Sequence, residues 1–404
     1  MDWRSLDEQY IVSSYKRIPI AIEKGEGNYL YDTNGKSYLD LFTGLAVNVL
    51  GHSHPRIVQA LREQGERFLH ISNVFLNKPA IRLAERLVAN SISGKVFFTN
   101  SGAEATESAI KLIHKWTKNE GAGREGIVVL RNSFHGRTLG AVRLTRQAHV
   151  YQDFPQPAFP VYELDVEDTE GLRAICQEAR PAAVLMEPVL GSGGVVPLTE
   201  AFLREVAAIC EQEGMLFVMD EIQTGMGRTG KLFAYEHAGV TPDLILFAKG
   251  IGGGLPLGGV IAGPKLMNQF KPGDHGTTFA PSPLSAALGN VVLDELLDPA
   301  FIAHVEEVIA YLWSGLEALR MRLPDQLQSL RGKGLMVGIP LSSTPEEVSH
   351  LQQALLNEGI LVDVTQKTIV RLLPPLTLTK ADVDRFLAVF EEQLTARTGT
   401  KKEA

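Results

Sequence analysis

LILFAKGIGGGLPLGG, residues 244–259, opens as an apolar run and breaks at Lys249 into glycines and a proline. A buried ammonium without a partner is costly, so a lysine at the end of such a run is paired, covalently modified or able to reach solvent. The runs around it decide the fold. KVFFTN (95–100), GIVVLRN (126–132), AAVLMEP (182–188), MLFVMDE (215–221) and GVIAG (259–263) are short, apolar and rich in β-branched residues. Helical patterns at 103–118 and 199–213 separate several of them. Strands that alternate with helices predict an α/β fold, a mostly parallel sheet covered on both faces.

The texture differs at both ends. NYLYDTNGKSYLD (28–40) reads as a hairpin turning at Asn34-Gly35. After about 295 come amphipathic helices at 300–322, 345–358 and 380–395, with short strands near 334–339, 360–364 and 368–373. The expected organisation is a large domain over 51–295 and a smaller α+β domain over 296–404, joined by the N-terminal segment 1–50. A chain of 404 residues supports two such units. Its net charge of −8 gives no basic face for nucleic acid. No apolar run approaches the ~18 residues of a membrane span. The two cysteines, Cys176 and Cys210, make neither a disulfide framework nor a zinc spacing, and no secretory pattern opens the chain. These features predict a cytoplasmic protein without a metal site.

In open α/β sheets, ligands gather beyond the carboxyl ends of the strands. Those ends carry Ser101-Gly102-Ala103 at a helix start, Phe134 to Arg137, Glu187, Asp220 with Gln223 just beyond, and Lys249. Each has a plain reading. Ser101 caps a helix, Phe134 packs in a core, Arg137 makes a surface ion pair, and Lys249 snorkels to solvent. Taken together they match the needs of pyridoxal 5′-phosphate. That cofactor needs a lysine for its aldehyde, an acid against its pyridine nitrogen, an anion cradle and a flat side chain over its ring. A dinucleotide loop fails on register, because Leu255 and Leu257 stand where G-x-G-x-x-G needs glycine, and no Walker pattern occurs.

From about Gly25 to the 380s the chain resembles the class III aminotransferases of PLP fold type I. The resemblance rests on GEGNYLYDTNGKSYLDLFTGLAVNVLGHSHP, FFTNSGAEATESAIKL, SFHGRTLGA, HGTTF and above all the block at 216–258. Within the family it runs closest to the acetylornithine/ornithine branch. It implies transfer of a terminal amine from N2-acetylornithine to 2-oxoglutarate, with ornithine, 4-aminobutyrate or another ω-amine as the alternative donor. It also implies a homodimer with a shared active site. Carried over by position, Lys249 is the Schiff-base lysine, Asp220 pairs with the ring nitrogen, Gln223 bonds the ring hydroxyl and Phe134 stacks on the ring. Ser101, Gly102 and Ala103 hold the phosphate, and Thr278 reaches the partner subunit's phosphate. Arg371 grips the α-carboxylate, Arg137 reads the distal one, and Glu187 belongs to the substrate site.

Two stretches depart from the family pattern. LGSGG (190–194) has Ser192 where a glutamate usually pairs with the carboxylate-binding arginine, so Arg371 is expected to be less masked. TFAPSP (278–283) introduces Pro281 near the expected dimer contact.

Overall fold

The computed structural model describes residues 2–121 and 123–401. Among these residues seven strands form the central sheet, in the order Lys95–Thr99, Gly258–Ala262, Leu244–Phe247, Leu216–Asp220, Ala183–Met186, Ile127–Leu130 and Val161–Leu164. Every residue of the four strands from 127 to 130, 183 to 186, 216 to 220 and 244 to 247 is buried. That is why their sequences are continuous apolar runs rather than alternating ones. Six strands point the same way, and Gly258–Ala262 runs against both its neighbours. Its reversal follows from chain length, since the residues between Phe247 and Gly258 are too few for a crossover helix. The predicted α/β architecture is the observed one. The strand Val161–Leu164 has no counterpart among the runs read from sequence. It is a half-exposed edge strand, and VYEL lacks an apolar signature.

Local sequence sets the elements that reach the sheet's carboxyl edge. The helix Gly102–Asn119 starts where the Ser101 hydroxyl accepts from the Glu104 amide and the Glu104 carboxylate accepts from the Asn100 amide. Its apolar face, with Ala105, Ala109, Leu112 and Ile113, packs on the sheet. On the reversed strand, a Cβ at Gly259 would come within 2.5 Å of the Phe97 carbonyl oxygen, so that position admits only glycine.

The two ends of the chain are sewn together. The N-terminal strands Ile22–Glu26, Tyr29–Asp32 and Ser37–Asp40 form an antiparallel meander, and Ile360–Leu361 adds to it in parallel beside Ser37–Asp40. A further antiparallel sheet runs Arg331–Lys333, Met336–Pro340, Ile369–Leu372, Asp363–Thr365. Arg228, which follows the central sheet in the chain, is fully buried and donates to the carbonyls of Leu335 and Pro374. Among the described residues it has no acidic partner, and burial alone pushes its pKa down to about 9. This guanidinium pins the C-terminal sheet to the loop that follows Asp220.

Candidate active site

A cavity of about 1020 Å³ opens beyond the carboxyl ends of the central strands. Nine of the eleven residues singled out from sequence line it: Ser101, Gly102, Ala103, Phe134, Arg137, Glu187, Asp220, Gln223 and Lys249. The cavity lies where five of the six strands that point the same way, all but Val161–Leu164, deliver residues to a common edge.

Lys249 begins the short turn Lys249–Gly252 with a left-handed backbone, φ +50°. Non-glycine residues rarely hold that conformation, and those that do cluster at functional sites. Its ammonium is pushed down to about 8, first by burial and then by the positive charge of Arg371, against the opposing pull of Asp220 and Glu187. A fraction of the chains therefore carries a neutral amine at neutral pH.

Asp220 is 3 % exposed. One of its oxygens accepts from the Ile222 amide at 3.1 Å, and the other lies 2.7 Å from His135 Nδ1. An ionised carboxylate only accepts, so Nδ1 carries the hydrogen of that bond. His135 Nε2 is buried with no partner among the described residues. His135 was not among the residues singled out, although the signal was present: it stands between Phe134 and Arg137 at the same strand end. Glu187 has both oxygens on backbone, accepting from Phe134 N at 2.9 Å and Gly191 N at 3.2 Å. Burial pushes it up to about 7. It lines the cavity while holding together the two loops that wall it.

The fit to pyridoxal phosphate can be judged on groups left without partners. Gln223 Oε1 is buried and has no partner among the described residues, an acceptor suited to a ring hydroxyl. The helix Gly102–Asn119 turns its first amides toward the cavity, and a helix start favours a phosphate. Buried Asp220 suits a cationic ring nitrogen, and the lowered Lys249 suits an aldehyde. The residues fit the group. Phe134 stands at the wall with the exposed Arg137 guanidinium 5.6 Å from its ring centre.

Two of the eleven lie apart from this lining. Thr278 is exposed and outside the cavity of its own chain. Its neighbour Thr277 accepts a hydrogen bond at its side chain from Asn100, which does line the cavity. Arg371 sits behind the wall, 5 % exposed. The expectation that it would be less masked is corrected here: Asp363 pairs with it at 2.6 Å. The acid arrives from a neighbouring strand rather than from position 192, and no sequence signal marks a cross-strand partner. Ser192 instead holds the walls together, its carbonyl accepting from Thr365 Oγ1 at 3.0 Å and Gln366 Nε2 at 2.8 Å.

Comparison with known proteins gives one consistent result. The Aminotransferase class-III family pattern matches residues 10–394. An acetylornithine aminotransferase of Caldanaerobacter subterraneus is 40 % identical over 390 residues, 96 % of this chain and 98 % of that protein. One from Xanthomonas axonopodis is 42 % identical over 94 % of each chain. Among solved structures, an ornithine aminotransferase from Toxoplasma gondii superposes with a TM-score of 0.92 at 28 % identity, covering 100 % of this chain and 96 % of that one. The N-acetylornithine aminotransferase of Stenotrophomonas maltophilia gives 0.83 at 33 % identity, covering 98 % and 99 %.

Proposed function

The chain belongs to the class-III aminotransferases, and on that premise we propose that it moves the terminal amino group of N2-acetylornithine to 2-oxoglutarate. The products are N-acetylglutamate 5-semialdehyde and glutamate. The observation that carries the donor is the set of relatives at 36–42 % identity, spanning nearly the whole chain, that are named acetylornithine aminotransferase. Ornithine aminotransferases are neighbours in fold at 28 % identity, a weaker tie.

Bound pyridoxal phosphate supplies an aldehyde for the donor's amine and a cationic ring that draws electrons from the carbon losing its proton. The chain's own residues do the rest. Lys249 Nζ, lowered to about 8, takes and returns that proton. Asp220, held by His135 and the Ile222 amide, keeps a negative charge for the ring nitrogen. Gln223 receives the ring hydroxyl, Phe134 covers the ring, and Ser101, Gly102 and Ala103 take the phosphate. Glu187 fixes the loops around the donor. Arg137 and Arg371, one at the rim and one at the back, are assigned the two carboxylates of 2-oxoglutarate.

The working unit in this reading is a homodimer with a shared site in the cytoplasm. An apolar surface supports the dimer: Val74, Phe75, Leu76 and Phe279 are each at least 67 % exposed. Asn73 donates to the carbonyls of Thr277 and Ala280, which holds this patch beside Thr278. The membrane plays no part in the reading, and no helix among the described residues is long and apolar enough to cross one.

The donor is tested by a single-turnover spectrum, in which the enzyme is mixed with one amine and converted to its pyridoxamine form. Conversion by N2-acetylornithine faster than by ornithine or 4-aminobutyrate is the expected result. Equal or reversed rates would remove acetylornithine as the donor. Arg137→Ala should raise KM for 2-oxoglutarate about 10–100-fold, the worth of a charge-assisted contact. The same change should leave pyruvate, with no second carboxylate, within a few-fold of wild type; equal losses would withdraw the assignment.

A further inference from the structure

Asp363 and Arg371 are register partners across the antiparallel strands Asp363–Thr365 and Ile369–Leu372, so their side chains leave the sheet on one face. Arg371 Nε donates to one Asp363 oxygen at 2.7 Å, and Nη2 lies 2.6 Å from the same oxygen. One edge of the planar guanidinium is thereby taken. The remaining nitrogen, Nη1, is buried without an acceptor among the described residues. Among the described residues Asp363 is the only acid in an ion pair with Arg371. The cationic field of Arg371 nonetheless reaches Lys249, where it ranks second only to burial in favouring the neutral amine.

A donor reacts with the amine-bearing carbon beside Lys249. An α-amino acid brings a carboxylate on that same carbon, toward Arg371. A terminal amine brings a plain methylene there. The first ligand meets a guanidinium already neutralised on one edge, with a second anion beside it; the second meets no like charge. The strand pairing fixes the backbone of Asp363, which keeps its charge on the same face of the sheet as Arg371. We propose that Asp363 is a specificity-determining residue, whose charge on Arg371 weakens the hold on any carboxylate next to the reacting carbon, in an α-amino donor and in 2-oxoglutarate alike, and so favours donors that react at a terminal amine. The inference rests on the aminotransferase reading and on Arg371 as a carboxylate contact.

The test uses the pyridoxal-phosphate-loaded enzyme, with L-glutamate and N2-acetylornithine as single-turnover donors. Like-charge juxtaposition removed by Asp363→Asn should improve glutamate about 10–100-fold, chiefly in apparent Kd. N2-acetylornithine should stay within about threefold of wild type, since its reacting end carries no charge. Asp363→Ser, which removes both the charge and the reach, should move the ratio in the same direction and replaces the first variant if that one does not fold. An unchanged ratio in a folded variant, or equal losses with both donors, would overturn the role of Asp363. A selective loss with glutamate would also overturn it, by making the aspartate an aid to carboxylate binding. If wild type converts with neither donor, the aminotransferase reading is what fails, and the inference falls with it.

Discussion

Lys249→Ala is expected to abolish turnover, lowering kcat by about 10⁴-fold or more, while pyridoxal phosphate still binds. The expectation rests on position. Lys249 is the lysine on the cavity wall at the end of a central strand, held at φ +50° and lowered to about 8. The phosphate cradle at Gly102, the free Gln223 oxygen and the Asp220 charge all survive the substitution, so cofactor affinity falls only in part. The visible band reporting covalent attachment should disappear, and equilibrium dialysis should still find cofactor on the protein. Turnover near wild type would sink the assignment. A pH measurement complements it. With the ammonium titrating near 8 rather than its usual 10.5, the neutral amine accumulates as pH rises toward 8. Cofactor capture by the stripped enzyme should therefore accelerate from pH 6 to about 8 and then level off. A rise that continued to pH 10 would mean that Lys249 keeps an ordinary pKa.

Asp220→Asn should lower kcat by about 10²–10³-fold, the scale seen when one oriented electrostatic group is removed from a reacting centre. Asparagine is the informative replacement. Its amide oxygen can accept from the Ile222 amide while its NH2 takes the place of the oxygen facing His135, whose ring can offer Nδ1 as an acceptor in the other tautomer, so size and packing are kept and charge is lost. Alanine would also leave the His135 donor buried and unpaired, costing about 1–3 kcal/mol of stability and confusing the result. The check is a comparison of kcat with thermal midpoint. A large fall in kcat with an unmoved midpoint supports the electrostatic role. A midpoint that drops with activity would make Asp220 a structural residue instead.

Much of this site was legible before the fold was known, and the reason is geometric. Parallel strands buried on both faces must be apolar throughout, so a charged or polar residue at the end of such a run stands out. Asp220, Glu187 and Lys249 were found that way. His135 carried the same signal but was passed over beside Phe134 and Arg137, because its use depends on a neighbouring strand. Arg371 reads from sequence as an ordinary strand arginine and was singled out only through the family resemblance. Asp363 was invisible, since strand register in a short antiparallel sheet is set by turns and packing, not by any local pattern. Absence of an acid at 192 therefore misled: the sequence shows which residue is missing from one loop, not which one arrives from another strand. The edge strand Val161–Leu164 escaped because its exposed Glu163 interrupts the short apolar run.

The reversed strand has a consequence of its own. Leu244–Phe247, Gly258–Ala262 and Lys95–Thr99 lie side by side, with Lys249 just past the first and Ser101 just past the third. The gap between the backbone that carries the reacting amine and the anion cradle is therefore two strand spacings, about 10 Å. It is ruled by backbone hydrogen bonds and by a glycine that admits no side chain, so no side-chain substitution can stretch it. The sheet works as a calliper closed on an object of fixed length. Donor preference is then free to drift where the calliper does not reach, in the loop around Ser192 and the strands that carry Asp363 and Arg371, without disturbing the grip at its jaws.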